Sequence, residues 1–312
     1  VSLCPEDMLL LRRSLPPLTA ARRRALCSPP LEYASSCWLP TSWTPLKLLA
    51  KAEHNHDTTV YDFGLPEGES LNLPVCACLL LRVPGRGRME GGGPTDFDPA
   101  ADAIRPYTPV SDNSVTGRFQ LLIKRYAGGA VSEYLHALPL GGSVDFRHIS
   151  FNVKAEYPFE GKRRITMLCG GTGIAPMYQA LLKLMGTAGD EREVTLIFGN
   201  KSWDDVLLRD ELEAWAKTAP ERFKLVHVIG DTPDGDAAPP VETDGACVAS
   251  AGWIDRAKVE AFAHPPSPET MVLVCGVPAM YEAMCGPRTQ KELTEGSVLA
   301  ELGYTADMVE KM

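Results

Sequence analysis

The feature that most constrains the fold is a change of pattern after Gly161. The short apolar run Ile165–Leu168 is followed by apolar residues at helical spacing, with a glycine-rich segment between them. That segment reads Cys169-Gly170-Gly171-Thr172-Gly173-Ile174-Ala175-Pro176. A buried strand, a glycine turn and a helix in this order are typical of a dinucleotide-binding α/β unit, whose sheet is open to ligands at its carboxyl edge.

The same alternation of strand and helix continues along the chain and predicts a parallel sheet with right-handed crossovers. Gly186 is placed to end the first helix, whose apolar residues include Met177, Leu181 and Leu184. Further strands are expected at Val194–Phe198, Phe223–Ile229 and Met271–Val274, and further helices at Leu208–Lys217, Asp255–Phe262 and Ala279–Met284. Residues 156–312 are therefore predicted to form a Rossmann-like parallel α/β domain.

Residues 44–155 carry a different pattern, in which short apolar runs are separated by turns roughly every ten residues. This pattern predicts an antiparallel β-barrel domain, with a sandwich as the alternative. The expected strands are Pro45–Lys51, Thr58–Phe63, Val75–Val83, Arg105–Val110, Gly117–Tyr126 and Ser143–Phe146. The segment Gly85–Ala103 is rich in glycine, proline and aspartate and is predicted to be a surface loop.

Composition excludes several classes of protein. A length of 312 residues suits two domains, and 45% hydrophobic with 23% charged residues is typical of a globular chain. The formal net charge of −9 argues against a nucleic-acid-binding protein, which would carry a basic face. Nine cysteines without a C-x-x-C pair favour free thiols in a reducing compartment, and the six histidines have no zinc-site spacing, so no metal site is predicted.

The first 43 residues form an N-terminal extension with five arginines among small residues, prolines and serines. This composition resembles an organellar transit segment, which would direct the protein to mitochondria. An arm that docks on the domain or on a partner is the alternative, and the protein would then be cytosolic or lie on the cytosolic face of a membrane. No apolar run approaches the roughly 18 residues that a transmembrane span requires.

Two motifs in the first domain suit one diphosphate cofactor. In Arg105-Pro106-Tyr107-Thr108-Pro109-Val110-Ser111 a guanidinium can bind a pyrophosphate, and a tyrosine and a hydroxyl can contact a flavin. In Gly128-Gly129-Ala130-Val131-Ser132 two glycines precede a helix start, where backbone N–H groups favour an anion. Each motif alone is also compatible with an ordinary turn, but together they predict one bound diphosphate cofactor.

A fourth motif, Cys275-Gly276-Val277-Pro278-Ala279-Met280, stands at the carboxyl end of another apolar strand. Cys275 could line a nicotinamide pocket, although a buried cysteine is more often inert packing. No base lies nearby in the sequence, so Cys275 is not predicted to be a nucleophile.

These four motifs in this order resemble the ferredoxin-reductase-like flavoproteins, specifically the NADH–cytochrome b5 reductases, and the likeness runs from about Trp43 to the end of the chain. The resemblance implies a catalytic set of Thr108, His56 and Cys275, with Thr108 near the flavin nitrogen that accepts hydride and His56 supporting its hydroxyl. FAD-binding residues implied by it are Arg105, Pro106, Tyr107, Thr108, Lys124, Tyr126, Val131 and Ser132. NADH-binding residues implied by it are Gly170, Gly171, Thr172, Gly173, Pro176, Gly276 and Pro278.

The resemblance also implies a reaction, in which a hydride passes from NADH to FAD and single electrons then pass to cytochrome b5 or a similar small haem protein. Two alternatives remain open: a reductase-like structural subunit of a larger mitochondrial complex, and a diaphorase-like quinone or ferric reductase. Departures from the family pattern at Ala130, at Val277 and at Cys76-Ala77-Cys78 leave the acceptor open.

A choice of NADH over NADPH is predicted from Asp231, which follows the strand Phe223–Ile229. A carboxylate there can accept hydrogen bonds from a ribose hydroxyl and would repel the 2′-phosphate of NADPH. No arginine or lysine stands between Leu225 and Asp255 to attract that phosphate, although Lys201 could reach in.

Overall fold

The protein is described by a computed structural model, which covers residues 37–89, 93, 96–149, 155–230 and 245–312. The predicted N-terminal segment up to residue 36 and Asp231 lie outside these described residues. None of the helices in the described part has the length and apolar content that crossing a membrane would require.

The first half of the chain forms a six-stranded antiparallel sheet with the order β6-β3-β8-β1-β2-β7. The strands are β1 (Thr44–Glu53), β2 (Thr58–Gly64), β3 (Leu79–Val83), β6 (Ala103–Tyr107), β7 (Arg118–Lys124) and β8 (Ser143–His148). Two short strands, β4 (Gly87–Arg88) and β5 (Phe97–Asp98), form a separate ribbon within the predicted loop. Helix α1 (Ala130–Ala137) connects β7 to β8.

The sheet curls until its two edge strands approach each other. After β6 the chain crosses to β7, where the Val110 N–H donates to the Gln120 carbonyl at 2.9 Å. The Gln120 N–H donates to Ser111 Oγ at 3.0 Å. Inside the curl, Phe63, Phe119 and Phe146 pack with ring centroids 4.8 to 5.8 Å apart. The predicted antiparallel barrel class is confirmed.

The second half forms a six-stranded parallel sheet with the order β12-β11-β10-β9-β13-β14. Its strands are β9 (Arg164–Gly170), β10 (Glu193–Asn200), β11 (Phe223–Ile229), β12 (Cys247–Ala251), β13 (Thr270–Cys275) and β14 (Val309–Lys311). Its helices are α2 (Ile174–Gly186), α3 (Arg209–Thr218), α4 (Arg256–Phe262), α5 (Pro278–Met284) and α6 (Val298–Glu301). The Rossmann-like prediction is confirmed, and β12, β14 and α6 are additions to it.

One predicted strand is partly wrong. Of the apolar run Val75–Val83 only Leu79–Val83 is a strand, because Val75 and Cys76 form a turn in which Cys76 has a φ of 64°. The Cys76 N–H donates to Gln179 Oε1 and its thiol to the Pro176 carbonyl at 3.4 Å. Both acceptors lie on α2, so this turn belongs to the contact between the two sheets rather than to the barrel.

Further polar contacts join the same two units. Lys183 Nζ on α2 lies 2.8 Å from Asp112 Oδ2. The Leu208 N–H donates to His54 Nε2 at 3.1 Å, and Asn55 Nδ2 donates to the Asp204 carbonyl at 2.9 Å. These contacts hold the carboxyl edge of the parallel sheet against the open side of the barrel.

Candidate active site

The barrel side of the site begins on the edge strand β6. Arg105 and Pro106 are exposed there, and Tyr107 and Thr108 are half-buried. The Arg105 guanidinium donates to the Ile104 carbonyl at 2.8 Å and pairs with no carboxylate among the described residues. Burial raises the pKa of Tyr107, although nearby Arg105 opposes this, so the phenol stays protonated. An exposed guanidinium without a counter-ion is suited to an anionic ligand.

Helix α1 offers a second anion-suited group beside this strand. It packs against β6 and begins at Gly129, where no side chain caps the helix. Ser132 Oγ instead accepts from the Tyr126 N–H at 3.1 Å. A side chain at position 129 would overlap Ser132 Oγ, so this tight turn requires a glycine there. Val131 and Ser132 are buried in the first helical turn, whose amides remain for a ligand.

Tyr126 completes the aromatic part of this surface. It follows β7 and is 56% exposed, and it adds to the effect of burial in raising the pKa of Tyr107. A guanidinium, an uncapped helix start and two tyrosines on the open side of the barrel fit the diphosphate and the ring system of FAD.

Lys124 and His56 lie in a polar cluster at the contact between the two domains. Lys124 Nζ is 2.6 Å from Asp57 Oδ2 and 3.1 Å from Asp205 Oδ1. His56 Nε2 is 3.5 Å from Asp57 Oδ2 and 3.6 Å from Asp205 Oδ1. Burial disfavours the charged amine, but the two carboxylates outweigh it and raise the pKa of Lys124. The contacts described for His56 do not include Thr108, so its role on that hydroxyl stays a prediction.

The second nucleotide-suited turn follows β9. Gly171 has a φ of 52° and open space on its Cα, and Thr172 and Gly173 complete a single 3₁₀ turn. Helix α2 then begins at Gly173 without a side-chain cap, and Pro176 is buried in its first turn. A side chain on Gly173 would overlap the carbonyl oxygen of Cys275, because this turn packs directly on the end of β13. An open, uncapped turn at the carboxyl edge fits a dinucleotide phosphate.

Cys275, Gly276 and Pro278 form the neighbouring turn. Cys275 pairs in register with Cys169 across the sheet and is half-buried. Gly276 has no room for a side chain because the Met280 sulfur lies there, and Pro278 is the exposed first residue of α5. Val277, where the family pattern has proline, has a φ of −73° and is exposed.

The comparisons with known proteins agree with this geometry. Residues 45–150 match the family model described as an oxidoreductase FAD-binding domain, and residues 167–286 match that of an oxidoreductase NAD-binding domain. A protein of Coccidioides immitis named NADH-cytochrome b5 reductase 2 is 34% identical over 277 residues, which cover 86% of this chain and 77% of that protein. A protein of the same name from Neurospora crassa is 35% identical, over 86% of this chain and 73% of that protein.

The chain belongs to the NADH–cytochrome b5 reductase family. Among solved structures, the cytochrome b5 reductase domain of Ulva prolifera nitrate reductase is 30% identical, with a TM-score of 0.66 over 79% of this chain and 92% of that one. The chain is therefore an NADH-dependent flavoprotein reductase, an oxidoreductase that uses FAD and NADH.

Sequence reasoning missed two residues at the nucleotide edge. Trp253 follows β12 and is 72% exposed, and its indole would contact a side chain placed on Gly230, the residue before Asp231. Asn200 ends β10, and its buried side-chain amide has no hydrogen-bond partner among the described residues. No local pattern marked Trp253, because β12 was not predicted and its end could not be located.

Proposed function

We propose that this reductase passes electrons from NADH, through FAD, to cytochrome b5 or a similar small haem protein. The observation that carries the proposal is the identity of about 34% over most of the chain with proteins named NADH-cytochrome b5 reductase. A diaphorase-like activity toward quinones or ferric complexes uses the same cofactors and is the competing proposal.

The FAD would lie on the open side of the barrel. Arg105 and the first amides of α1, at Val131 and Ser132, would bind its diphosphate. Pro106 would fix the strand that carries Arg105 and Tyr107, and the two phenols of Tyr107 and Tyr126 would line the ring system. Support comes from the Arg105 guanidinium, which pairs with no carboxylate in the described part of the chain, and from the start of α1 beside it, where no side chain caps the helix.

The NADH would lie across the carboxyl edge of the parallel sheet. The turn at Gly170–Gly173 and the start of α2 at Pro176 would hold its phosphates, while Cys275, Gly276 and Pro278 would close the nicotinamide side. NADH would supply the hydride and FAD would accept it, and the protein would contribute mainly by holding the two rings in contact. Thr108 would hold the flavin nitrogen by a hydrogen bond, and Lys124 and His56 would fix the domain contact beside it.

The acceptor is tested by offering several oxidants to the same FAD-loaded protein with NADH under anaerobic conditions. The proposal expects reduction of purified cytochrome b5, followed at its haem absorption, with a kcat/KM well above that for a soluble quinone. If the quinone or a ferric complex is reduced and cytochrome b5 is not, the diaphorase-like function replaces the proposed transfer to cytochrome b5. A variant with impaired FAD binding, Arg105→Ala, should lose both activities together, whereas Arg88→Ala, an exposed arginine of the same domain, should lose neither.

A mitochondrial location, or membership of a mitochondrial complex, is a further part of this proposal. It is supported only by the arginine-rich composition of residues 1–43. Residues 1–43 fused to a neutral reporter should carry it into mitochondria. A reporter that remains cytosolic would favour a docking arm instead.

A further inference from the structure

Three potential metal ligands from three different elements meet beneath helix α3. They are Glu213 on α3, His227 on β11 and Cys247 on β12, and their ligand atoms all lie within 4.8 Å of one another. None of the three belongs to the residues assigned to FAD or NADH. Because they are far apart in the sequence, no linear spacing pointed to them.

His227 is the most unusual member of this cluster. Its side chain is fully buried, and neither ring nitrogen has a hydrogen-bond partner among the described residues. Leaving such a polar group unpaired in a protein interior costs free energy, because the group has lost its hydrogen bonds to water. Its ring is held edge-on to Trp203, with centroids 5.2 Å apart, and Nε2 points toward Glu213 Oε1 at 3.4 Å. A buried imidazole whose Nε2 has only this long contact, and whose Nδ1 has no hydrogen-bond partner among the described residues, is suited to a ligand that the protein itself does not supply.

Glu213 and Cys247 supply the anionic ligands. Glu213 Oε1 accepts from Arg209 Nε at 2.7 Å, and Arg209 also stacks over the Trp203 ring at 4.5 Å. A carboxylate has roughly four acceptor positions, so Glu213 can keep Arg209 and still bind a cation. Cys247 is buried at the start of β12, and its thiol would release a proton to solvent when it becomes a thiolate ligand.

We propose that Glu213, His227 and Cys247 form a zinc-binding site that joins α3 to strands β11 and β12. Ligands at about 2.0–2.3 Å from zinc in tetrahedral geometry are themselves about 3.3–3.8 Å apart, so only small side-chain movements are needed. One thiolate and one carboxylate balance the charge of the ion, and a water molecule can take the fourth position. The site is separate from the hydride-transfer site and would act by stabilising the edge of the NADH-binding domain.

The test uses the FAD-loaded protein, first stripped with a chelator and then titrated with Zn²⁺ or Co²⁺. The proposal expects one tight site per chain, a rise in melting temperature on Zn²⁺ addition, and a thiolate-to-metal absorption band with Co²⁺. Cys247→Ala and His227→Gln should each weaken Zn²⁺ binding by about a hundredfold or more. Removing a residue that binds the ion directly lowers the affinity more than removing a group that only contacts a ligand. The matched control Cys285→Ala removes another buried cysteine and should leave the affinity unchanged.

Two results would overturn the proposal. One is binding that all of these variants retain, since this would move the ion to another place such as the cluster of His56, Asp57 and Asp205. The other is X-ray absorption of zinc-loaded parent protein that shows no sulfur in the first shell. That second measurement needs no variant, so failure of a variant to fold cannot leave the proposal undecided.

Discussion

Arg105 and Tyr107 point to the same side of one edge strand, and the sequence predicted both as cofactor-binding residues because their side-chain chemistry suits a diphosphate and an aromatic ring. Chemistry alone could not predict the environment of His56. The resemblance implied support of Thr108, whereas the structure brings His56 to Asp57 and Asp205. Nor could it predict that Glu213, His227 and Cys247 meet, because contacts between distant residues depend on the sheet order.

Replacing Arg105 should weaken FAD binding while the fold is retained. The variant Arg105→Ala loses a charge-assisted contact that is typically about 1.5–3 kcal/mol, so the Kd for FAD should rise roughly ten- to a hundredfold. FAD fluorescence during titration of flavin-free protein measures this. Arg88→Ala is the control, and a parent-like Kd for Arg105→Ala would show that the diphosphate lies elsewhere.

Because His227 is buried, lowering the pH should reduce the free energy of unfolding. The pKa of His227 is about 4 in the folded chain, against an ordinary 6.5, so between these values the unfolded chain binds the proton more tightly. The stability that the neutral imidazole contributes is therefore present above pH 6.5 and is lost as the pH falls toward 4. From pH 7 to pH 4 the free energy of unfolding should fall by about 3 kcal/mol more in chelator-treated parent protein than in His227→Gln. Denaturant melts across this range measure the difference, and parallel pH profiles would contradict it.

At the scale of elements, β9, β11 and α2 were predictable from the sequence, because continuous apolar runs predict the two strands and apolar residues at helical spacing predict the helix. The strand prediction at Val75–Cys78 was wrong for a physical reason. An apolar run there reads as a strand, but a positive φ at Cys76 and hydrogen bonds to α2 make it a turn between domains. Short strands such as β12 and β14 owe their existence to pairing with neighbours, which a local pattern does not contain.

The turn between β9 and α2 offers a matched pair of glycine substitutions. Gly173→Ala places a methyl group on the Cys275 carbonyl and must displace one of the two nucleotide-binding turns. Gly171→Ala has open space and carries only the roughly 1–2 kcal/mol strain of a positive φ. The KM for NADH should therefore rise about tenfold or more in Gly173→Ala and much less in Gly171→Ala. Equal values in the two variants would show that close packing of the turns does not matter for NADH binding.

For the whole molecule, the contact between the domains is the feature that brings the two cofactor surfaces together. Residues of both domains share one hydrophobic cluster, which includes Val75 and Val110 from the first domain and Ile174 and Tyr178 from α2. Ion pairs such as Lys183 with Asp112 reinforce it, and burial of Asp112 is outweighed by Lys183, which lowers the pKa of that carboxyl. The sequence predicted the two domain types, but it could not predict their relative placement.

Loosening this contact should slow hydride transfer. Lys183→Met breaks an ion pair between the domains, so the two rings should meet less often in reactive geometry and flavin reduction by NADH should slow about tenfold. Arg82→Met is the matched control, because Arg82 pairs with Asp145 at similar exposure but within the barrel. Stopped-flow absorbance at saturating NADH measures both rates, and equal slowing of the two variants would assign the effect to general destabilisation.

The most direct test of the central claim is a visible spectrum of the purified protein before and after NADH is added without oxygen. The account predicts flavin absorption bands that correspond to one noncovalent FAD per chain and that are bleached on mixing with NADH. A colourless protein that does not take up added FAD, or flavin bands that NADH leaves unchanged, would contradict an NADH-dependent flavoprotein reductase.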